Sequence, residues 1–336
     1  MNNEHRPQKP ASELRFDLVS KDWVVIATGR SQRPDTFAQH RLKDEVAQKN
    51  CPFCNLETQE TPLLEYQDEK GKRELVVIPN KYPAFFRSDS LHERAEGPYS
   101  IMDGVGFHEV VITADHQRSL AEMSRPQIRR VIDAYQERYL ELANEKFVNY
   151  ISIFHNHGRE AGASILHPHS QIIAIPLIDP DLNRSLNGSR LFFENQGECV
   201  HCKMLEWDLE DKRRIIFANK EFAVLVPFAS RVAFEVRIYP KEHHAYFERI
   251  KEIEKNQLAE ALQQALGKVF GGLNDPAYNL FLHTAPCDGK DYGHYHWHFE
   301  ILPKTSIWAG FELGTGIEIS TIEPEKAAEY LREIKN

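Results

Sequence analysis

One set of metal-liganding residue types occurs twice in this chain, in the same order. Cys51-Pro52-Phe53-Cys54, His116 and His167-x-His169 are followed by Cys199-Val200-His201-Cys202, His243 and His296-x-His298. The displacement is 148 positions at both cysteines (51 to 199, 54 to 202), 127 at the single histidine (116 to 243) and 129 at the His-x-His (167 to 296), so only one intervening stretch has shortened. Apolar runs recur around these anchors: Leu75-Val76-Val77-Ile78-Pro79 with Ala223-Val224-Leu225-Val226-Pro227, and His108-Glu109-Val110-Val111-Ile112 with Phe234-Glu235-Val236-Arg237-Ile238. Such self-similarity reads as an internal duplication, and the chain as two like halves. Each half also carries an amphipathic helix. Ile128, Val131, Ile132, Tyr135 and Tyr139 predict one from about Arg125 to Asn144, with Ser124 and Gln127 placed as a capping box. Ile250, Ile253, Leu258, Leu262 and Leu266 predict another from about Phe247 to Phe270, and Pro324 opens a last one to Ile334. Strands joined without regular βαβ alternation make the fold class α+β, a sheet with helices packed against it.

Chemistry concentrates at His167-Pro168-His169-Ser170-Gln171. The run 147–154 reads as a strand, the polar, glycine-bearing stretch from His155 to Ser164 as a loop, and 172–175 as a second strand. The pentapeptide therefore sits where a loop enters a strand. In extended backbone His167 and His169 share a face, with Cα atoms roughly 6.5 to 7 Å apart. One imidazole can anchor to a metal while the other stays available to react. Pro168 fixes its own φ and keeps His167 out of the α region, which removes freedom a nucleophile would otherwise have to lose. A neutral imidazole is nucleophilic near pH 7, and a covalent intermediate splits one hard displacement into two easier ones. The competing reading makes both histidines metal ligands or polar strand residues.

Two thiolates and two imidazoles, from Cys51, Cys54, His116 and His167, are a donor set that zinc takes in closed tetrahedral sites. Cys199, Cys202, His243 and His296 repeat it, with His244, His294 and His298 close by as rival ligands of the second site. Two zinc ions per chain would be structural, because four protein ligands leave no position for a reacting group. A redox dithiol is the alternative for each Cys-x-x-Cys, although neither has a thioredoxin-like context. Cys287 has no assigned role. No apolar run is long enough to span a bilayer, and the start Met1-Asn2-Asn3-Glu4-His5-Arg6 is too polar for a secretory signal, so a cytoplasmic protein without membrane contact is expected. A net charge of −9 without a basic patch argues against nucleic-acid partners. Neither a Gly-x-Gly-x-x-Gly nor a Walker-type motif is present, so phosphate must be held otherwise.

Asn156, Gly158, Ser164 and the His-Pro-His-Ser-Gln run together resemble the active-site segment of the galactose-1-phosphate uridylyltransferase family, a branch of the histidine-triad superfamily. The resemblance extends from about Arg15 to the C-terminus. It implies two histidine-triad-like halves sharing one open, largely antiparallel sheet, here residues 15–190 and 191–336, after a flexible extension over 1–14. It makes His169 the nucleophile that attacks the α-phosphorus of UDP-glucose or UDP-galactose, with a uridylyl-histidine then taken by a hexose 1-phosphate. Asn156, Ser164 and Gln171 match the phosphoryl contacts, Arg30 and Arg33 the phosphate-contacting arginines, Asn80 the ribose contact, Phe53 a wall for the base, and Glu312, in Ala309 to Gly316, the sugar-hydroxyl contact. The family pattern also implies a homodimer. Three features depart from it: a second Cys-x-x-Cys in place of a glutamate and histidines, Phe311 where tyrosine is common, and Ser306 where lysine is. The second Cys-x-x-Cys is shared with the relative ADP-glucose phosphorylase, so adenylyl transfer to phosphate stands as the alternative activity. A zinc-stapled binding protein without turnover is the third reading.

Overall fold

The computed structural model describes residues 12–27, 48–56 and 61–335. Arg30 and Arg33 lie outside the described residues, as does most of the expected N-terminal extension. In chain order the elements begin with a hairpin, β1 (Glu13–Phe16) and β2 (Trp23–Ile26). The first half then runs β3 (Leu64–Gln67), β4 (Arg73–Pro79), a small hairpin β5 (Glu93–Glu96) and β6 (Tyr99–Met102), β7 (Phe107–Thr113), α1 (Arg125–Leu142), β8 (Tyr150–His157) and β9 (His169–Ile175). After α2 (Pro180–Gln196) and α3 (Val200–Asp211) the second half repeats the plan with β10 (Ile215–Ala218), β11 (Phe222–Leu225), β12 (Val236–Pro240), α4 (Glu252–Leu273), β13 (Tyr278–His283) and β14 (His298–Pro303). Finally come α5 (Gly310–Thr315), β15 (Ile319–Ser320) and α6 (Pro324–Glu333).

Among the described residues, ten strands form one sheet in the order β10-β11-β12-β14-β13-β8-β9-β7-β4-β3, with antiparallel neighbours throughout. Read from the middle outwards, each half contributes the same five positions, so the duplication becomes a palindromic sheet. Its seam is the β8–β13 pair, where Asn156 lies opposite Asn279 and Phe154 opposite Phe281.

Because side chains alternate across a strand, this register sorts the sheet into two faces. Val77, Val111, Ile153, Ile172, Val224, Val236, Leu280 and Ile301 meet Ile128, Val131, Ile132 and Tyr139 of α1 and Leu258, Leu262 and Leu266 of α4 in one core. Each such side chain, fully buried, contributes about 1.5–3 kcal/mol. The opposite face carries His108, Asn156, His169 and Gln171 from the first half and Asn279, His298 and Glu300 from the second. One face holds the fold together and the other is left for chemistry.

Local signals explain most boundaries. Ser124 donates its backbone N–H to Gln127 Oε1 (2.9 Å), the predicted capping box, and Pro126 occupies the first turn of α1. The second helix differs from expectation: Phe247–Arg249 form a separate 3₁₀ turn and α4 begins at Glu252. Helices α2 and α3 were not expected, since α2 buries only Leu182, Leu186, Gly188 and Ser189 and so has little apolar periodicity. Its start is a capping one, with Asp179 Oδ1 accepting from Asp181 N–H (3.0 Å) and Leu182 N–H (2.9 Å).

The expected boundary between halves at residue 190 falls inside α2. Strand β1 starts at Glu13, within the segment expected to be a flexible extension, and its hairpin docks on the second half instead of the first. β2 pairs in parallel with β15, and Arg15 binds Glu325 at the start of α6 through two hydrogen bonds of 3.0 and 2.9 Å. Gly188 of α2 lies so close to the hairpin turn that a Cβ there would stand 1.9 Å from the Val19 carbonyl oxygen. Among the described residues, no helix is long and apolar enough to cross a membrane.

Candidate active site and metal centres

Both predicted four-residue sets converge. One donor atom from each of Cys51, Cys54, His116 and His167, and likewise from Cys199, Cys202, His243 and His296, lies within 4.8 Å of the others in its set. In the first set Cys54 Sγ is 3.2 Å from His116 Nδ1 and 3.4 Å from His167 Nδ1, Cys51 Sγ is 3.6 Å from His167 Nδ1, and the two imidazole nitrogens are 3.3 Å apart. A tetrahedral ion with sulfur at ~2.3 Å and nitrogen at ~2.0 Å needs sulfur-to-nitrogen separations of about 3.5 Å. In the second set Cys202 Sγ is 3.2 Å from His243 Nδ1 and 3.4 Å from His296 Nδ1.

The far side of each ring fixes the tautomer this requires. His167 Nε2–H donates to the Thr113 carbonyl (2.7 Å), His243 Nε2–H to Gly293 (2.8 Å) and His296 Nε2–H to Pro240 (3.1 Å), so each Nδ1 lone pair faces the sulfurs. Burial, and then the Cys51 sulfur, push the Cys54 thiol up to about 11, so a cation binding there must displace a proton. Both clusters fit a tetrahedral metal with thiolate and imidazole ligands. His244, a rival ligand from sequence, stands apart with Glu242 and Glu254.

His169 opens β9 beside the first cluster. Its Nδ1–H donates to the His167 carbonyl (2.9 Å), which leaves the lone pair on Nε2. Burial lowers its pKa below that of an ordinary histidine, opposed by this hydrogen bond, so the ring is neutral at pH 7. Thr113 Oγ1 donates to the Pro168 carbonyl (3.2 Å) and ties the segment to the end of β7. Phe53 packs edge-on against the His169 ring with centroids 5.0 Å apart, placing the residue between the first two cysteines against the candidate nucleophile.

Gln171 follows on the same face, and its Oε1 lies 2.8 Å from His108 Nε2. Asn80 Nδ2 is 3.0 Å from that same nitrogen. Asn156 comes from β8, with its Oδ1 accepting from Asn279 Nδ2 (2.8 Å). Gly162, at φ +90°, turns the loop back within reach of Asn156, its virtual Cβ 3.7 Å from Nδ2. Ser164 sits exposed on that loop. The fold thus gathers Phe53, Asn80, Asn156, His169 and Gln171 on one face. Glu312 is not joined to them: its carboxylate accepts from Ala309 N–H (3.1 Å) within its own short helix.

Behind the sheet a buried polar column backs the His-Pro-His-Ser-Gln segment. Tyr135 donates to Ser170 Oγ (2.6 Å), which lies 3.1 Å from His155 Nδ1, and burial lowers the His155 pKa well below the usual value. The sequence reading missed His108, Tyr135, His155 and Asn279. His108 opens a predicted strand in step with Val110 and Ile112, a pattern that marks it as sharing their face. Nothing local marks Asn279.

The second half keeps the backbone device but not the chemistry. His298 Nδ1–H donates to the His296 carbonyl (3.1 Å), as His169 does to His167. The position after next carries Glu300 in place of Gln171, and that buried carboxylate pairs with His283 (2.7 Å) and Arg231. With its oxygens engaged by Arg231, Arg237 and His283, Glu300 offers no N–H donor at the position where the first half has the Gln171 amide.

The galactose-1-phosphate uridyl transferase N-terminal domain family matches residues 3–178, and a domain family of unknown function (DUF4921) matches residues 104–334. ADP-glucose phosphorylase of Arabidopsis thaliana is 33% identical, covering 97% of this chain and 94% of its own length. Galactose-1-phosphate uridylyltransferase of Thermotoga maritima is 31% identical, covering 96% and 98%. Among solved structures, the Arabidopsis ADP-glucose phosphorylase with bound ADP-glucose superposes with a TM-score of 0.82 at 31% identity, covering 97% of this chain and 99% of that one. A uridylyltransferase does so with a TM-score of 0.73 at 27% identity, covering 95% and 97%.

Proposed function

Because the chain belongs to the galactose-1-phosphate uridylyltransferase family of nucleotidyltransferases, we propose that it moves a nucleotidyl group from a nucleotide sugar to a phosphate-bearing acceptor through a covalent intermediate on His169. The observation that carries this reading is the His169 ring: neutral, held through Nδ1–H, and offering Nε2 on the face shared with Gln171 and Asn156. The Nε2 lone pair forms a bond to the α-phosphorus, and the bond from that phosphorus to the bridging oxygen breaks. Hexose 1-phosphate departs with the electron pair. A phosphate oxygen of the acceptor then attacks the same phosphorus, and the N–P bond breaks to return the lone pair to Nε2. Gln171, Asn156 and Ser164 are assigned as donors to the phosphoryl oxygens as charge redistributes. Phe53 walls the base, Asn80 meets the ribose, Arg30 and Arg33 meet phosphate, and Glu312 meets a sugar hydroxyl. Zinc in each Cys₂His₂ cluster, two per chain, holds the strand ends and the His-Pro-His segment in register.

In the first reading the donor is UDP-glucose and the acceptor galactose 1-phosphate, supported by the match of Asn156, Ser164, His169 and Gln171 to the uridylyltransferase segment. A second reading, ADP-glucose with orthophosphate as acceptor, is favoured by the second Cys-x-x-Cys, by Phe311 and by Ser306. Intact-mass measurement after incubation with each nucleotide sugar separates them. UDP-glucose should add one uridylyl group and release glucose 1-phosphate, and galactose 1-phosphate should remove the label. Labelling by ADP-glucose alone, cleared by orthophosphate, would overturn the first reading in favour of the second. Absence of label with every nucleotide sugar would overturn both.

A further inference from the structure

We propose that His108 and Asn279 are positioning residues that set the polarity of the two amides facing the transferred phosphoryl group, so that Gln171 and Asn156 present N–H and never C=O. The proposal rests on the phosphoryl-transfer reading and deepens it. A primary amide beside an anionic phosphoryl group works only one way round: its NH₂ stabilises the phosphoryl oxygens and its oxygen repels them. Neither end is chosen by shape, since the two are nearly isosteric. Something else must choose.

For Gln171 the choice starts at the backbone. Ala84 N–H donates to His108 Nδ1 (3.2 Å), and a main-chain N–H has no other polarity to offer. That bond takes the Nδ1 lone pair, so the ring carries its proton on Nε2, where Gln171 Oε1 lies at 2.8 Å. Accepting that proton occupies the Gln171 oxygen and turns the NH₂ the other way. Asn80 faces this arrangement donor to donor and is outweighed by the backbone bond at Nδ1. Its Oδ1 accepts from Tyr82 N–H (2.9 Å), so its Nδ2 is the end that approaches His108 Nε2 at 3.0 Å. Two N–H donors cannot bond each other, so the Nε2 proton goes to the nearer Gln171 oxygen.

For Asn156 the choice comes from the other half of the chain. Asn279, opposite it across the central seam, donates from Nδ2 to Asn156 Oδ1 (2.8 Å) and to the Ala161 carbonyl (2.8 Å). The Ala161 oxygen accepts only, so it fixes Asn279 with its NH₂ inward, and Asn279 then holds the Asn156 oxygen. Each polarity is thus traced to a main-chain group that cannot flip, Ala84 N–H in one case and Ala161 C=O in the other. The seam pair also gives the second half a part in the chemistry of the first.

The test uses the full chain with its metals. His108→Phe keeps an aromatic ring but removes the donor, whereas His108→Gln restores an N–H near the position of Nε2. Single-turnover labelling should slow about 10- to 100-fold in His108→Phe, in kcat and not in KM, and recover to within about threefold of wild type in His108→Gln. In a Gln171→Ala background His108→Phe should cost nothing more, and Asn279→Ala should be silent likewise on Asn156→Ala. Metal content and Tm near wild type exclude a misfolded variant. Full-sized losses in those backgrounds, or wild-type labelling by His108→Phe, would overturn the proposal. Should the wild-type chain take no label at all, the transfer reading falls by itself, and ¹⁵N NMR of the labelled histidines still decides the orientation: a His108 ring protonated at Nε2 supports it, and one protonated at Nδ1 refutes it.

Discussion

Replacing Arg138 with methionine tests whether the strand that carries His108 is held from behind by a buried ion pair. Arg138 of α1 reaches Glu109 of β7 through Nε to Oε2 (2.7 Å) and Nη2 to Oε1 (2.6 Å), and each side chain is only 4% exposed. A bidentate pair in this setting barely exceeds its own desolvation cost, but removing one partner strands the other charge in the core, at about 3–5 kcal/mol. At about 2.1 cal/mol/K per residue, 336 residues have an unfolding entropy of about 0.7 kcal/mol/K, so Arg138→Met should lower Tm by about 4–7 °C. The double variant Arg138→Met/Glu109→Leu replaces the pair with apolar groups and should recover most of that loss, a coupling of about 3 kcal/mol. Scanning calorimetry of the wild type, both single variants and the double variant measures the cycle. Label formation at 25 °C should stay within about threefold of wild type in Arg138→Met, because Glu109 and His108 point to opposite faces. A Tm drop under about 2 °C, or a double variant no more stable than the single, would show that the pair is not buried as described.

Loss of the nucleophile should separate chemistry from folding: His169→Ala keeps both metals and its thermal stability but loses label and turnover by several orders of magnitude, and near-normal turnover would remove His169 from its role. Elemental analysis should find about two zinc ions per chain, with Cys54→Ser and Cys202→Ser each losing one and chelation lowering Tm before activity; metal-free wild-type protein purified without chelator contradicts both centres. Acid should loosen the docked N-terminal hairpin. Burial raises the Glu325 carboxyl, but the hydrogen bonds and charges of Arg15 and Arg214 outweigh it and hold the group down at about 2, against 4.5 unfolded. The unfolded chain therefore binds this proton first, and the stability is present above about 4.5 and lost as pH falls towards 2. After allowance for solvent screening it amounts to about 1–2 kcal/mol. Glu325→Gln should flatten that part of the Tm against pH curve, and an unchanged curve rejects the assignment.

What the linear order of residues determined is local or repeated. Two Cys-x-x-Cys pairs with matching histidines name two donor sets whichever way the strands cross, because ligand type and repeat position carry the information. Pro168 between two histidines singles out His167 and His169 as candidates for separate roles, and the capping box at Ser124 and Gln127 marks the start of α1 from four residues. The boundary of α2 and the docking of β1–β2 on the second half were not legible, since the first has little apolar periodicity and the second depends on a parallel pairing across some 300 positions. Tertiary structure alone decided which groups share the face of the candidate nucleophile His169. His108 reaches Gln171 because β7 and β9 pair with Val110 opposite Gln171. Asn279 reaches Asn156 because the two halves join at β8 and β13. Strand register is set by the whole sheet burying one face against α1 and α4, a sum over many distant side chains, and a one-residue slip would carry each of these polar groups into the core.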